Sequence, residues 1–179
     1  MHALALVAFA LLTLAQSLPT LAQTPGPGAP TLTVKGNVER ELTLSLDELK
    51  KFTAQRIEVV RVVREQGAKT GAQEEIARRY AGCLLRDVLD RARLTEKNRM
   101  DLRKSVVIIT ASDGYRVVFS WAELYLSPIG EGALIVYERD GVPLPDSEGP
   151  LALVSLKDTR PGPRHVKWLR TIEVRALVD

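Results

Sequence analysis

The sequence predicts a single α+β domain built mostly of antiparallel strands, with two or three short helices. Three observations predict it. Strand-length runs rich in Val, Ile and Leu recur between Thr31 and Leu177, separated by Gly, Pro, Asn and Asp. Asp-Gly pairs at 113–114 and 140–141 sit between such runs, as tight turns between strands require. The helical signals are short, and two of them open on a Ser-x-x-Glu capping box, at Ser45 and Ser120.

Taken in order, Thr31-Leu32-Thr33-Val34 alternates as a strand and ends at the Gly36-Asn37 turn, with Leu42 and Leu44 continuing the alternation. Ser45-Leu46-Asp47-Glu48 then opens a short helix through Phe52. Arg56 to Val63 is a strand, and Gln66 to Gln73 a polar, glycine-bearing loop. Leu84, Leu85, Val88 and Leu89 share one helical face, so an amphipathic helix follows Gly82 and runs to Ala92. Ser105 to Thr110 and Tyr115 to Phe119 form a hairpin about Asp113-Gly114. Ser120-Trp121-Ala122-Glu123 starts another helix. Leu134 to Tyr137 is a strand, and Pro143, Pro145 and Pro150 keep the next segment irregular. Leu151 to Leu156 is a strand, and after a Pro-Gly loop the last strand runs from Val166 to about Leu177. There is no internal repeat.

The chain opens differently. Met1 to Ala22 has no acidic residue, Lys or Arg, carries an apolar run from Ala3 to Leu14, and offers small residues around Thr20-Leu21-Ala22. This is the pattern of a cleavable signal peptide, so a periplasmic or secreted protein is expected. The run is too short for a span of about 20 residues, and its lack of Arg excludes the twin-arginine class. Residues 23–30 are a Pro/Gly-rich spacer, leaving 31–179 as the domain.

Composition removes several functions. The formal net charge is +3, with basic and acidic side chains interspersed, so no stripe for nucleic acid exists. Cys83 is the one cysteine, which excludes an internal disulfide, and the two histidines are His2 and His165, so a Cys/His zinc site is excluded by count. No Gly-x-Ser-x-Gly elbow is present, and Asp140, Asp146 and Glu148 match no EF-hand spacing. Trp121 and Trp168 read as core or pocket-wall residues.

Six pieces, in order, resemble the oxidoreductase molybdopterin-binding domain family of sulfite-oxidase type. They are Gly36-Asn37-Val38 with Leu44 to Leu49, Tyr80-Ala81-Gly82-Cys83-Leu84-Leu85, Ala111-Ser112-Asp113-Gly114-Tyr115, Asp140-Gly141-Val142-Pro143-Leu144, Gly149-Pro150-Leu151, and Arg164-His165-Val166-Lys167-Trp168-Leu169. The resemblance implies the sulfite-oxidase molybdopterin-binding fold, a pterin cofactor lying among basic and polar residues of the last third, and molybdenum held by the pterin dithiolene plus one protein thiolate. It places that cysteine roughly ten residues before the Tyr-x-Gly element, within Lys69 to Ala72, where this chain has none. It further implies that relatives carrying the cofactor outward cross the membrane already folded, by a twin-arginine route this leader does not fit.

Two readings of Cys83 stand. As a thiolate at a helix N-terminus it would be a ligand or nucleophile, the only candidate catalytic residue; as a small buried hydrophobe it would be inert. Lys157, Arg160, Arg164, His165 and Lys167 form a basic cluster suited to an anionic or pterin-like ligand, against the alternative of a solvated surface. Strand alternation would put His165, Lys167 and Leu169 on one face and Val166, Trp168 and Arg170 on the other. The expectation is an exported binding module without thiolate-held molybdenum. Two alternatives are a molybdopterin-dependent oxidoreductase using Cys83, and an accessory subunit for a periplasmic redox or membrane partner.

Overall fold

The computed structural model describes residues 30–64, 73–95, 102–160 and 162–177, with side chains outside 60–76. The expected leader Met1 to Ala22, the expected spacer up to residue 29, and residues 66–72 of the expected polar loop, with the window Lys69 to Ala72, lie outside the described residues.

β1 (Thr31–Gly36) and β2 (Leu42–Ser45) pair antiparallel, with Leu32 opposite Leu44 and Val34 opposite Leu42. The alternation read from sequence thus becomes one apolar face. Ser45 closes the expected capping box on α1 (Leu46–Leu49): its Oγ accepts from the Glu48 amide at 3.3 Å, and Glu48 Oε2 accepts from the Ser45 amide at 2.8 Å. The helix ends earlier than expected, passing into a turn at Lys50 and Lys51 before Phe52.

The largest departure follows. β3 (Gln55–Arg64) turns back into β4 (Gln73–Leu84), a twelve-residue strand paired with it from Arg64↔Gln73 to Gln55↔Gly82. Glu74, Glu75, Arg78 and Arg79 conceal this strand, because much of it lacks the apolar alternation that marks a half-buried one. Consequently α2 (Leu85–Ala92) begins after Leu84, and Cys83 lies within β4 rather than at a helix start. Gly82 sits at a β-bulge against β7, where a Cβ would stand 2.2 Å from the Ile135 carbonyl oxygen.

β5 (Ser105–Ala111) and β6 (Arg116–Ser120) form the expected hairpin. Its Asp113 Oδ1 accepts from the Tyr115 amide at 2.9 Å, and Gly114 takes φ +88°. Ser120 caps α3 (Trp121–Tyr125) by a second complete capping box. After a 3-10 turn at Pro128–Glu131 come β7 (Ala133–Arg139), the two-residue β8 (Val142–Pro143) inside the proline segment, and β9 (Ala152–Ser155). A second 3-10 turn, Gly162–Arg164, precedes β10 (Leu169–Ala176).

Two sheets result. The first runs β2-β1-β10-β5-β6, antiparallel except for β1 against β10; the second runs β3-β4-β7, with β8 and β9 both on the far side of β7. The main core lies between them. Leu32, Val34, Ile109 and Ile172 from the first sheet meet Ala81, Cys83, Ile135 and Leu153 from the second, closed by the apolar stripe of α2 and by Phe119 and Leu124. Tyr80, Leu84, Leu134, Val136, Leu144, Ala152 and Val154 form a second cluster on the other face of β4, β7 and β9. Burial on both faces explains why Ala133 to Tyr137 is a continuous apolar run. Among the described residues no helix is long and apolar enough to cross a membrane.

Candidate functional site

The segment Arg164 to Leu169 is the crossover between the two sheets. Val166 exchanges backbone hydrogen bonds with Leu153 at 2.8 and 2.9 Å, the Trp168 amide donates to Glu148 O at 2.8 Å, and the Leu169 amide donates to Leu151 O at 2.9 Å before β10 begins. Trp168 takes φ +51°, and this left-handed residue breaks the strand that was expected to run unbroken from Val166. The predicted face alternation fails for that reason. Leu169 and Val166 are both buried, while Lys167 and Trp168 are both exposed. His165 and Lys167 therefore do not line one pocket.

His165 turns inward. Its Nε2 stands 3.3 Å from Glu148 Oε2, both side chains are under a tenth exposed, and Arg139 Nη1 donates to Glu148 Oε1 at 2.5 Å. Tyr80 packs edge-on to the imidazole, ring centroids 6.5 Å apart. Glu148 thereby ties β7 to the crossover, and the ring of Trp168 lies over Gly149, whose φ is +76°. The sequence gives no sign of this grouping, because Glu148 bridges Arg139 on β7 and His165 on the crossover, which only the fold brings together.

Of the basic cluster, Lys157, Arg160 and Arg164 converge, with Ile129, Asp158, Thr159 and Pro163, on an open cleft of ≈ 320 Å³. Two of the three cations are already engaged. Arg164 forks onto Asp158 (Nε–Oδ2 2.8 Å, Nη2–Oδ1 2.9 Å), reaches Glu123 Oε1 at 3.0 Å with Nη1, and covers the Phe119 ring at 4.4 Å. Lys157 pairs with Glu131. Desolvation would raise the Glu123 carboxyl, but hydrogen bonds from Ser120 and the Arg164 guanidinium outweigh it and hold that carboxyl below its ordinary value. Arg160 is exposed and makes no ion pair or hydrogen bond among the described residues. The cleft has one uncommitted guanidinium for an anion.

Cys83, the candidate catalytic residue, is fully buried opposite Ile135 in the main core. Burial, reinforced by the Asp87 carboxylate, pushes its thiol up to about 12. A thiolate at a helix N-terminus is not what the fold makes of it, because the strand continues past it. A larger cleft of ≈ 790 Å³ lies on β3, β4 and the end of β7, lined in part by Arg56, Glu58, Arg79, Ala81 and Glu138. None of these was legible as a site residue, since they are neighbours only across strands.

Two antiparallel-rich sheets joined by this crossover match the sulfite-oxidase molybdopterin-binding fold. The chain belongs to the oxidoreductase molybdopterin binding domain family, whose model matches residues 22–177. Among solved structures, it is similar to the sulfane dehydrogenase SoxCD from Paracoccus pantotrophus, with TM-score 0.62 and 18% identity. That likeness covers 82% of this chain and 39% of the SoxCD chain, so this chain spans well under half of that relative. No curated protein matches the sequence.

Proposed function

We propose that this protein is an exported binding or accessory module that uses the molybdopterin-domain fold without a thiolate-held molybdenum. The burial of Cys83 carries the reading. A metal ligand must be a thiolate open to the cofactor, and the chain's single cysteine is sealed within β4 with its thiol pushed up to about 12. The residues present do not fit the molybdenum-bearing group. The leader-like stretch Ala3 to Leu14, with no Arg, supports export unfolded. Arg160, at its shallow cleft, supports a small anionic ligand as the thing bound.

Family membership favours a second reading, a molybdopterin-dependent oxidoreductase with Cys83 as metal ligand; the depth of Cys83 stands against it. Elemental analysis and pterin fluorescence on protein purified from its native compartment separate the two. The expected result is no stoichiometric molybdenum. Stoichiometric metal that disappears in Cys83→Ser would overturn the proposal.

A further inference from the structure

The ≈ 790 Å³ cleft on the second sheet carries an independent inference, which goes beyond the molybdenum question and does not rest on it. Its register is explicit. Arg56 pairs with Ala81 and Ala81 with Glu138, so these three form one row across β3, β4 and β7. Cross-strand partners project from the same face, and strands are spaced by roughly 4.8 Å, so the Arg56 and Glu138 α-carbons stand roughly 10 Å apart over a methyl group. In the next row Glu58 pairs with Arg79, whose Nε donates to Glu58 Oε2 at 3.0 Å. Asp140, at the rim, is held by Arg78 Nη1 at 3.2 Å and by the Arg79 amide at 2.8 Å. Among the described residues, three of the five charges lining the cleft are thus neutralised within the protein.

The remaining two are Arg56, exposed, and Glu138, half-buried. Neither makes an ion pair or hydrogen bond among the described residues. Between them the floor is Ala81, with Ala77 further along the same face. An uncommitted cation and an uncommitted anion therefore face one another over a shallow, small-residue floor. That arrangement complements a ligand carrying both charges at its ends. A fully extended chain spans at most about 3.5 Å per residue, so two or three residues bridge the gap.

We propose that this cleft binds a short zwitterionic peptide, with its carboxylate on the Arg56 guanidinium and its terminal ammonium on the Glu138 carboxylate. A planar guanidinium meets a carboxylate in a two-pronged contact, and each end is a charge-assisted hydrogen bond.

Calorimetric titration of the full chain with triglycine tests this, alongside N-acetyl-triglycine and triglycine amide, each lacking one terminal charge. Saturable binding of triglycine is expected, weakened at least tenfold by either blocked terminus. Arg56→Gln should abolish the penalty for the amide, and Glu138→Gln the penalty for the acetylated form. Absence of binding at tens of millimolar triglycine overturns the proposal. So does equal affinity for the blocked peptides, or a double-mutant cycle showing that Arg56 and Glu138 pair with each other in the free protein. The blocked peptides act on unaltered protein, so the test survives a variant that folds poorly.

Discussion

Removing the Arg164 side chain is the sharpest test of how this fold uses its basic cluster. The guanidinium is about a fifth exposed, holds Asp158 by two hydrogen bonds and Glu123 by a third, and lies 4.4 Å over Phe119. Asp158 is 8% exposed, so Arg164→Ala leaves a nearly buried carboxylate without its partner. Breaking a buried pair in this way costs about 3–5 kcal/mol. Solvent reaching Glu123 and the guanidinium recovers part of that, while the lost contact with Phe119 adds about 0.5–1 kcal/mol. The expected loss is about 3 kcal/mol at pH 7, or about 6–12 °C in Tm for a chain of this size. Urea denaturation followed by tryptophan fluorescence reads it.

The pH dependence supplies a second check. Glu123 has a folded-state pKa below its ordinary 4.5, so its contribution is fully present above that value and is lost as pH falls through the folded pKa. Arg164 is one cause of the depression, so the difference between wild type and variant should narrow as pH drops from neutral into the range below 4.5. A difference at pH 7 under about 1 kcal/mol, the size of an exposed pair, would refute the view that this arginine is a structural tie.

Two further outcomes follow from the same contacts. Gly149→Ala forces a Cβ to 2.5 Å from the Trp168 ring at φ +76°, so a loss of about 2–4 kcal/mol is expected in thermal denaturation, and a variant as stable as wild type would refute the close approach. Cys83 should resist thiol-directed alkylation at pH 8 in the folded protein and react promptly in urea, because burial holds it as the thiol; rapid labelling of folded protein would show the core to be open there.

Local signals in the sequence translated well where the physics is local. Both capping boxes formed on the residues expected, because a serine hydroxyl and a glutamate three residues on satisfy each other's amides whatever the surroundings. The hairpin at Asp113-Gly114 likewise needs only a residue free to take positive φ and two strand-forming flanks. β4 was hidden for the opposite reason. Its partners β3 and β7 stabilise it by backbone pairing, so its side chains need not alternate in polarity, and local pattern alone puts Cys83 one element too late.

The site shows the same division. The residue counts alone excluded an internal disulfide and a Cys/His zinc site, and the ordered motifs alone carried the resemblance that the family model bears out. Which basic residues meet was decided by tertiary structure. Arg160, Arg164 and Lys157 share a cleft, whereas His165, adjacent to Arg164 in sequence, turns inward to Glu148, and Lys167 points to solvent. A single left-handed residue, Trp168, reverses the facing of its neighbours, and strand periodicity cannot foresee it. The row Arg56, Ala81 and Glu138 joins residues from three strands, and only the register of those strands brings them together. Sequence settles what each segment does with its own backbone, while a site made across strands exists only once their pairing is set.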